Sequence, residues 1–299
     1  MQAVASAGLA AGSGDARRFA VCDGLPYRAP GQPTLFVPYG HMVARALGAR
    51  GPVISVAGAE ASGMAAIAAA VRIIARGEAD VVIAGAGQAL QLPLCEHLRA
   101  QGFATRTAAK PFDAAASGFV MAEGAAYLVL EDESHARERG ATAVARVAGV
   151  GETFDSVVEP LATSDAAEAG RSMQAALGDG GYLQNQVDLL VSCASGRGAT
   201  DYADGMGAMR TFGRHAYYAG VTSIGGALGF ALAASGPLSV AFALEAMRRG
   251  ESFPITGLET PEAGLDLSFV REHRTEKIDC VLATGMGAGG TNVALLLQR

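Results

Sequence analysis

In the run Val56-Ala57-Gly58-Ala59-Glu60-Ala61-Ser62-Gly63, a carboxylate stands at the turn between an apolar β-branched segment and an apolar helical one. A strand, a small-residue elbow and a helix N-terminus form the usual seat of an activated nucleophile. The helix end carries roughly half a positive charge, which lowers a thiol's pKa and stabilises an anion. Glu60 fills that seat. Its carboxylate could serve as a base, but it is a poor acyl carrier. The other candidates are weaker. Cys193-Ala-Ser-Gly196 spells a similar elbow, yet no neighbouring base or cation activates the thiol, and a small core hydrophobe is the better reading. His41, His97, His135, His215 and His273 are scattered singly, and surface or supporting roles are expected for each. Cys22, Cys95, Cys193 and Cys280 lack metal-ligand spacing. The glycine-rich turns are not followed by the Lys and Ser/Thr of a phosphate loop.

Several elements must position these residues. Gly51 to Val56 reads as a strand. Met64 to Arg76 reads as a helix, with Met64, Ile67, Val71 and Ile74 at helical spacing and Gly77 after its end. The second half repeats the plan. Strand, elbow and apolar helix end in Met247-Arg-Arg-Gly-Glu251, echoing Ile74-Ala-Arg-Gly-Glu78. Each helix closes with Arg and then Gly, which suits a left-handed cap and the helix dipole. Each is followed by a strand, Asp80 to Gly85 and Asp279 to Gly285. Further strands are expected at Arg18–Cys22, Ala126–Leu130, Val144–Val150 and Val187–Cys193. A helix is expected over Thr163–Leu177 with Thr163 or Ser164 as its cap, and a charged turn or helix over Ser134–Arg139. Gly151–Ala162 reads as the passage between halves, dividing the chain into 1–155 and 156–299.

Composition narrows the function classes. Of 299 residues, half are apolar and 17% charged, with 40 glycines and no Trp, which indicates a tightly layered interior. A net charge of −6 without a basic stripe argues against nucleic acid. Ala216–Leu244 carries no charged side chain and exceeds the length of about 20 residues needed for a membrane span. Its glycines and Pro237 divide it into strand, elbow and buried helix, so no membrane association is expected. Met1–Gly8 lacks a cationic flank and a long apolar core, so it is not read as a targeting segment. The cysteines are then expected to be reduced in a cytoplasmic protein.

At Gly58-Ala-Glu60-Ala-Ser-Gly63 the chain resembles the Thr-Ala-Cys-Ala-Ser-Gly elbow of β-ketoacyl synthases. Lys110-Pro-Phe-Asp113, the run Gly118-Phe-Val-Met-Ala-Glu123-Gly and the run Gly287-Ala-Gly-Gly-Thr-Asn292 resemble three further blocks of that family, in the same order. The resemblance implies an α/β thiolase-like fold. Two pseudo-repeated βαβ halves would stack as α-β-α-β-α layers. The family's opening Val-rich strand is missing here. Read as a central strand of the first sheet, its absence implies a gap, a rearranged sheet or a strand supplied from elsewhere.

The resemblance also implies a catalytic Cys-His-His set, which this chain lacks. Glu60 stands at the Cys. Matching Ser195-Gly-Arg-Gly-Ala199 to the first His loop puts Ser195 at that His. Matching Val221 to Gly229 to the second loop puts Val221 at its Lys and Gly226 at its His. The backbone N–H groups of Glu60 and Ala288 stand where the oxyanion hole would be. Glu123 and Asn292 are expected to be structural.

A ketosynthase-like chain of this kind resembles the chain-length factors of type II polyketide and polyene systems. Gly149–Asp155 and the degenerate second loop lean the same way. That implies a non-catalytic subunit, without cofactor or metal, which pairs with an active ketosynthase, shapes its acyl tunnel and works with an acyl carrier protein. Val81–Gly85 would be the strand edge at the dimer. Phe36, Tyr39 and Met42, in a helical region before the Gly-Pro strand, would face the tunnel, or else serve as ordinary core packing. The contrasting reading is a malonyl-thioester decarboxylase, or another acyl-transfer enzyme, using Glu60.

Overall fold

The computed structural model describes residues 2–9, 14–29, 31, 38–156 and 166–299. The first half comprises α1 (Gln2–Ser6), β1 (Phe19–Gly24), α2 (Tyr39–Leu47), β2 (Val53–Val56), α3 (Ser62–Ala75), β3 (Val81–Gln88), α4 (Leu92–Ala100), β4 (Gly124–Glu131) and α5 (Glu133–Glu138). β5 (Arg146–Phe154), α6 (Ala167–Gly180), β6 (Leu189–Val191), α7 (Gly198–Phe212), β7 (Gly220–Thr222), α8 (Gly225–Leu228) and α9 (Ser235–Arg249) follow. The chain closes with β8 (Glu251–Ser252), β9 (Ser268–Phe269), β10 (Arg274–Thr275), β11 (Cys280–Met286) and β12 (Thr291–Gln298).

Two sheets carry the architecture, in the orders β2-β1-β3-β4 and β5-β12-β11-β6-β7-β9, with β8 and β10 forming a small separate ribbon. Strand for strand, β2-β1-β3-β4 repeats as β7-β6-β11-β12. In both sets the first three strands are parallel and the fourth turns antiparallel. The pair α3 and α9 lies between the sheets, and their side chains join residues of β1, β3, β6, β11 and β12 in one core. α1 and α2 cover the outer face of the first sheet through Val4, Ala44 and Leu47. On the second sheet, α6 and α7 do the same through Met173, Leu177, Ala208 and Phe212. The result is the expected α-β-α-β-α stack.

Small residues set the spacing of the central layer. A Cβ at Gly63, near the start of α3, would lie 2.3 Å from the Ala233 carbonyl oxygen and 2.6 Å from Pro237. A Cβ at Gly236, in α9, would lie 2.2 Å from Met64 Cγ. The two helix starts thus nest into each other. Their far ends are closed by Gly77 at φ +67° and Gly250 at φ +66°, the left-handed caps expected from the repeated Arg-Gly pairs. The uncharged stretch from Ala216 divides into β7, α8 and α9, and no described helix is long and apolar enough to cross a membrane.

Some expectations need correction. β3 is hydrogen-bonded on both sides, to β1 and β4, so Val81–Gly85 is not an edge. Among the described strands, β2 and β4 end the first sheet. The sheet interior has no gap either, because β1 pairs directly with β3 in parallel register from Phe19↔Val81 to Gly24↔Ala86. Gly151–Phe154 is not a passage but the end of β5, which pairs with β12 of the second sheet although it precedes residue 155. The helix before β2 begins at Tyr39; Thr34–Val37, and the proposed caps Thr163 and Ser164, lie outside the described residues. α2 is seated by Asp23, a fully buried carboxyl that accepts from the Gly40 N–H at 2.9 Å and the Tyr127 hydroxyl at 2.5 Å.

The nested helix starts generate a stability test. Gly63→Ala adds roughly 1 kcal/mol of helix propensity, but the new methyl meets a backbone carbonyl that cannot rotate away. Overpacking of about 1–3 kcal/mol wins, and a lower denaturant midpoint is expected. Gly178→Ala in α6 has nothing within 4 Å of the new Cβ and is expected to stabilise by up to about 1 kcal/mol.

Candidate functional site

The elbow after β2 is a strained turn. Ala59 sits at φ +51° without being glycine, the kind of backbone cost found at functional turns. Ser62 staples it, accepting from the Gly58 N–H at 2.9 Å and donating to the Ala59 carbonyl at 2.7 Å. The loop between β11 and β12 presses close, since a Cβ at Gly287 would stand 2.2 Å from the Gly58 carbonyl oxygen. That contact brings the Ala288 N–H onto Glu60 Oε2 at 2.7 Å. Glu60 is buried, with 6% of its surface exposed. The backbone donor expected to serve an oxyanion is therefore occupied by a side chain of the same protein.

Glu60 stands where two small cavities meet. Their volumes, open to the centre of a water molecule, are about 10 and 20 Å³. Each has room for about one water, far less than an acyl chain needs. Cys193, Ser223, Gly225, Phe230 and Met286 share the first cavity with Glu60. Ser195, Arg197, Phe230, Ala288 and Asn292 share the second. The residues matched by sequence to the catalytic positions fall in different places. Ser195 and Ala288 line the second cavity with Glu60. Val221 and Gly226 line neither cavity. Val221 is fully buried in β7 within the core of the second sheet. A Cβ at Gly226 would fall 1.8 Å from the Thr256 carbonyl oxygen, so no side chain fits there. The groups facing Glu60 across the first cavity are instead Cys193 and Phe230, which sequence matching had not assigned. Ala61-Ser-Gly63 does recur as Ala234-Ser-Gly236 at the two helix starts, but the repeat sets Ala233, not Phe230, opposite Glu60.

Neither group is equipped for acyl chemistry. Burial pushes the Cys193 thiol well above its ordinary value, and the nearby Asp204 charge adds to this against a hydrogen bond from Thr284. A protonated thiol is a weak nucleophile. Phe230 packs on Phe119, ring centres 5.0 Å apart, in an apolar cluster with Leu94, Leu98 and Leu232. Tyr27 joins that cluster. Burial raises its phenol pKa, with the Glu60 charge adding and Arg197 opposing. Arg197 lies over the Phe103 ring at 3.9 Å. None of the histidines lines either cavity, and no group of described residues could hold a metal ion.

The remaining motif residues hold loops together. Asp113 accepts from the N–H groups of Ala115, Glu259 and Thr260 at 2.7–2.8 Å. Burial works against its charge, but these donors hold its pKa below the usual range. Glu123 accepts from the Leu90 N–H, and Asn292 donates to the Gly290 carbonyl, both structural as expected. Asp201 accepts from the N–H groups of Ser195, Gly196 and Phe112 at 2.9–3.1 Å. Burial pushes its pKa up to about 7 despite these bonds, helped by the charge of Asp204.

Comparison with known proteins places this geometry. Residues 40–136 match the family model "Beta-ketoacyl synthase, N-terminal domain", and residues 144–259 match "Beta-ketoacyl synthase, C-terminal domain". The chain is 34% identical over 258 residues to 3-oxoacyl-[acyl-carrier-protein] synthase 2 of Coxiella burnetii, covering 84% of this chain and 62% of that protein. It thus spans about three-fifths of that relative's length. A type II PKS ketosynthase solved with its acyl-carrier protein, bound to the hexaketide, superposes with a TM-score of 0.91 at 23% identity. The match covers 99% of this chain and 81% of that one. The ishigamide ketosynthase/chain length factor gives 0.88 at 21% identity over 99% and 79%.

Two outcomes follow from the site. Glu60→Ala leaves the Ala288 N–H without its partner and should lower stability by about 1–3 kcal/mol, whereas Glu60→Gln keeps an acceptor oxygen and should lower it by less than about 1 kcal/mol; chemical denaturation reads both. For Asp201, the folded state holds a proton between the unfolded value of 3.8 and about 7. Stability from this group is present below that window and is lost as pH rises through it. The loss is at most roughly 4 kcal/mol at 1.36 kcal/mol per pKa unit. Asp201→Asn should remove that component of the pH dependence, seen as a flatter denaturation midpoint across the window.

Proposed function

Since this chain belongs to the β-ketoacyl synthase family, we propose that it is a non-catalytic ketosynthase-like subunit of the chain-length-factor type. In this reading it pairs with an active ketosynthase, shapes that partner's acyl tunnel and serves a carrier-protein-dependent polyketide or fatty-acid-like synthesis. The hydrogen bond from the Ala288 N–H to Glu60 carries the proposal. A chain whose oxyanion donor is held by its own carboxylate has no place for a thioester carbonyl. The water-sized cavities and the protonated Cys193 support the same reading, as does the fold likeness to a ketosynthase/chain length factor. The decarboxylase alternative needs Glu60 free to act, and its carboxylate already serves the loop.

The pairing surface proposed is the open edge of β2. Ile54 on that strand is 37% exposed, and Met42 on the adjoining α2 is 60% exposed. Apolar side chains beside an unpaired strand suit a partner sheet. Tyr39 starts α2 and is half-buried, and we propose that it and Met42 face the partner's tunnel. Phe36, proposed for the same role, lies outside the described residues.

The purified chain, incubated with acyl and malonyl thioesters, is expected to show no covalent acyl adduct by intact mass spectrometry and no condensation product. An adduct with turnover defeats the proposal. Co-expressed with an intact Cys-His-His ketosynthase of a type II system, the chain should co-sediment as a heterodimer. Met42→Glu or Ile54→Glu should weaken that complex by at least about tenfold, as for a charge placed in an apolar interface. Tyr39→Ala should alter the partner's product distribution while leaving the complex intact.

A further inference from the structure

The elbows before α3 and α9 repeat each other, but only the first is fastened by its serine. Leu232 stands at φ +47° before α9, as Ala59 stands at φ +51° before α3. The Ala234 N–H donates to the Ala231 carbonyl, as the Ala61 N–H does to that of Gly58. In the first elbow Ser62 then bonds both Gly58 and Ala59. Its counterpart Ser235 makes neither bond, and its buried Oγ has no partner among the described residues. Ser239 lies one turn further along α9, on the same face, where α3 has Ala66. It is 2% exposed, and its hydroxyl also bonds no described residue. Both serines line the first cavity together with Glu60. Two other hydroxyls there are committed, Ser192 donating to Asp204 and Ser223 to the Ala194 carbonyl. Glu60 uses only Oε2, on the Ala288 N–H, and its Oε1 accepts from no described donor.

From these unpaired groups around one small space, we propose that the first cavity is a binding site for a single water molecule, held by Ser239, Ser235 and Glu60 Oε1. Ser239 is then a positioning residue: through the water it keeps Glu60 on the Ala288 N–H. The volume of about 10 Å³ suits one water and nothing larger. A cavity of this size stays dry when apolar and fills when about two to four polar groups line it. The water donates to Glu60 Oε1 and to one serine oxygen, and accepts from the other serine hydroxyl. All three partners are thereby satisfied, as buried polar groups generally are. A cation suits the space less, because α9 begins at Ser235 and turns the positive end of its dipole toward it. The inference rests on the same Ala288–Glu60 bond that carries the proposed function. It adds the group that holds the carboxylate in place, and explains two serines on the inner face of a buried, otherwise apolar helix start.

The wild-type chain tests the site directly. A high-resolution crystal structure should show one water within about 3.2 Å of both Ser239 Oγ and Glu60 Oε1. Amide hydrogen exchange on the full chain tests the positioning role. Relative to the amides of β11 in the same protein, the Ala288 N–H should exchange at least about tenfold faster in Ser239→Ala than in the wild type, as for a local opening. Ser172→Ala is the control. Its hydroxyl bonds the Ala169 carbonyl in its own helix, so its loss should leave Ala288 unchanged. No water on Ser239 and Glu60, with the Ala288–Glu60 bond in place, overturns this inference and leaves the non-catalytic reading standing. Glu60 found away from Ala288 overturns both. A metal ion in the water's place overturns the inference. So does unchanged Ala288 exchange in Ser239→Ala, or an equal acceleration in Ser172→Ala.

Discussion

The nesting of α3 against α9 through Gly63 and Gly236 is the constraint on which the rest of the molecule depends. Both helices are buried between two sheets, and their starts interlock so closely that either glycine's Cβ would overlap the other segment. This contact sets the separation of the sheets. It also brings the elbow after β2 beside the turn between β11 and β12. Packed interiors resist even small volume changes, so the position of Glu60 follows from backbone geometry rather than from its own side-chain preference.

Around that central contact, carboxylates work as loop fasteners. Asp113 and Asp201 each gather three backbone N–H groups from segments far apart in sequence. Asp23 ties β1 to α2 and β4. Glu60 joins the elbow to the β11–β12 turn. Buried carboxyl groups are tolerable when their oxygens are satisfied, and here they do mechanical work. The space around Glu60 is filled from within: the Ala288 N–H on its carboxylate, a protonated Cys193 thiol, and the Phe230 ring packed on Phe119.

The internal duplication also shows where the chain departs from symmetry. The repeated four-strand unit is intact in both halves. Among the described residues, β5 covers the last strand of the second copy, and the last strand of the first is partly exposed.

Much of this was legible in the residues themselves. Helical spacing and the Arg-Gly endings located α3 and α9, β-branched runs located β2, β3 and β11, and the elbow singled out Glu60. Those signals are local, because a helix cap or a strand pattern depends on residues a few positions apart. The tertiary structure alone decided which residues face Glu60. Cys193 and Phe230 reach it because β6 and the loop after α8 are brought to the elbow by sheet order, not by any nearby motif. It also decided that Val81–Gly85 is interior, since pairing partners lie tens of residues apart. The hydrogen bond from Ala288 to Glu60 spans 228 positions. No local pattern encodes such a contact, because it exists only once two sheets and two nested helices have fixed the distance between the loops.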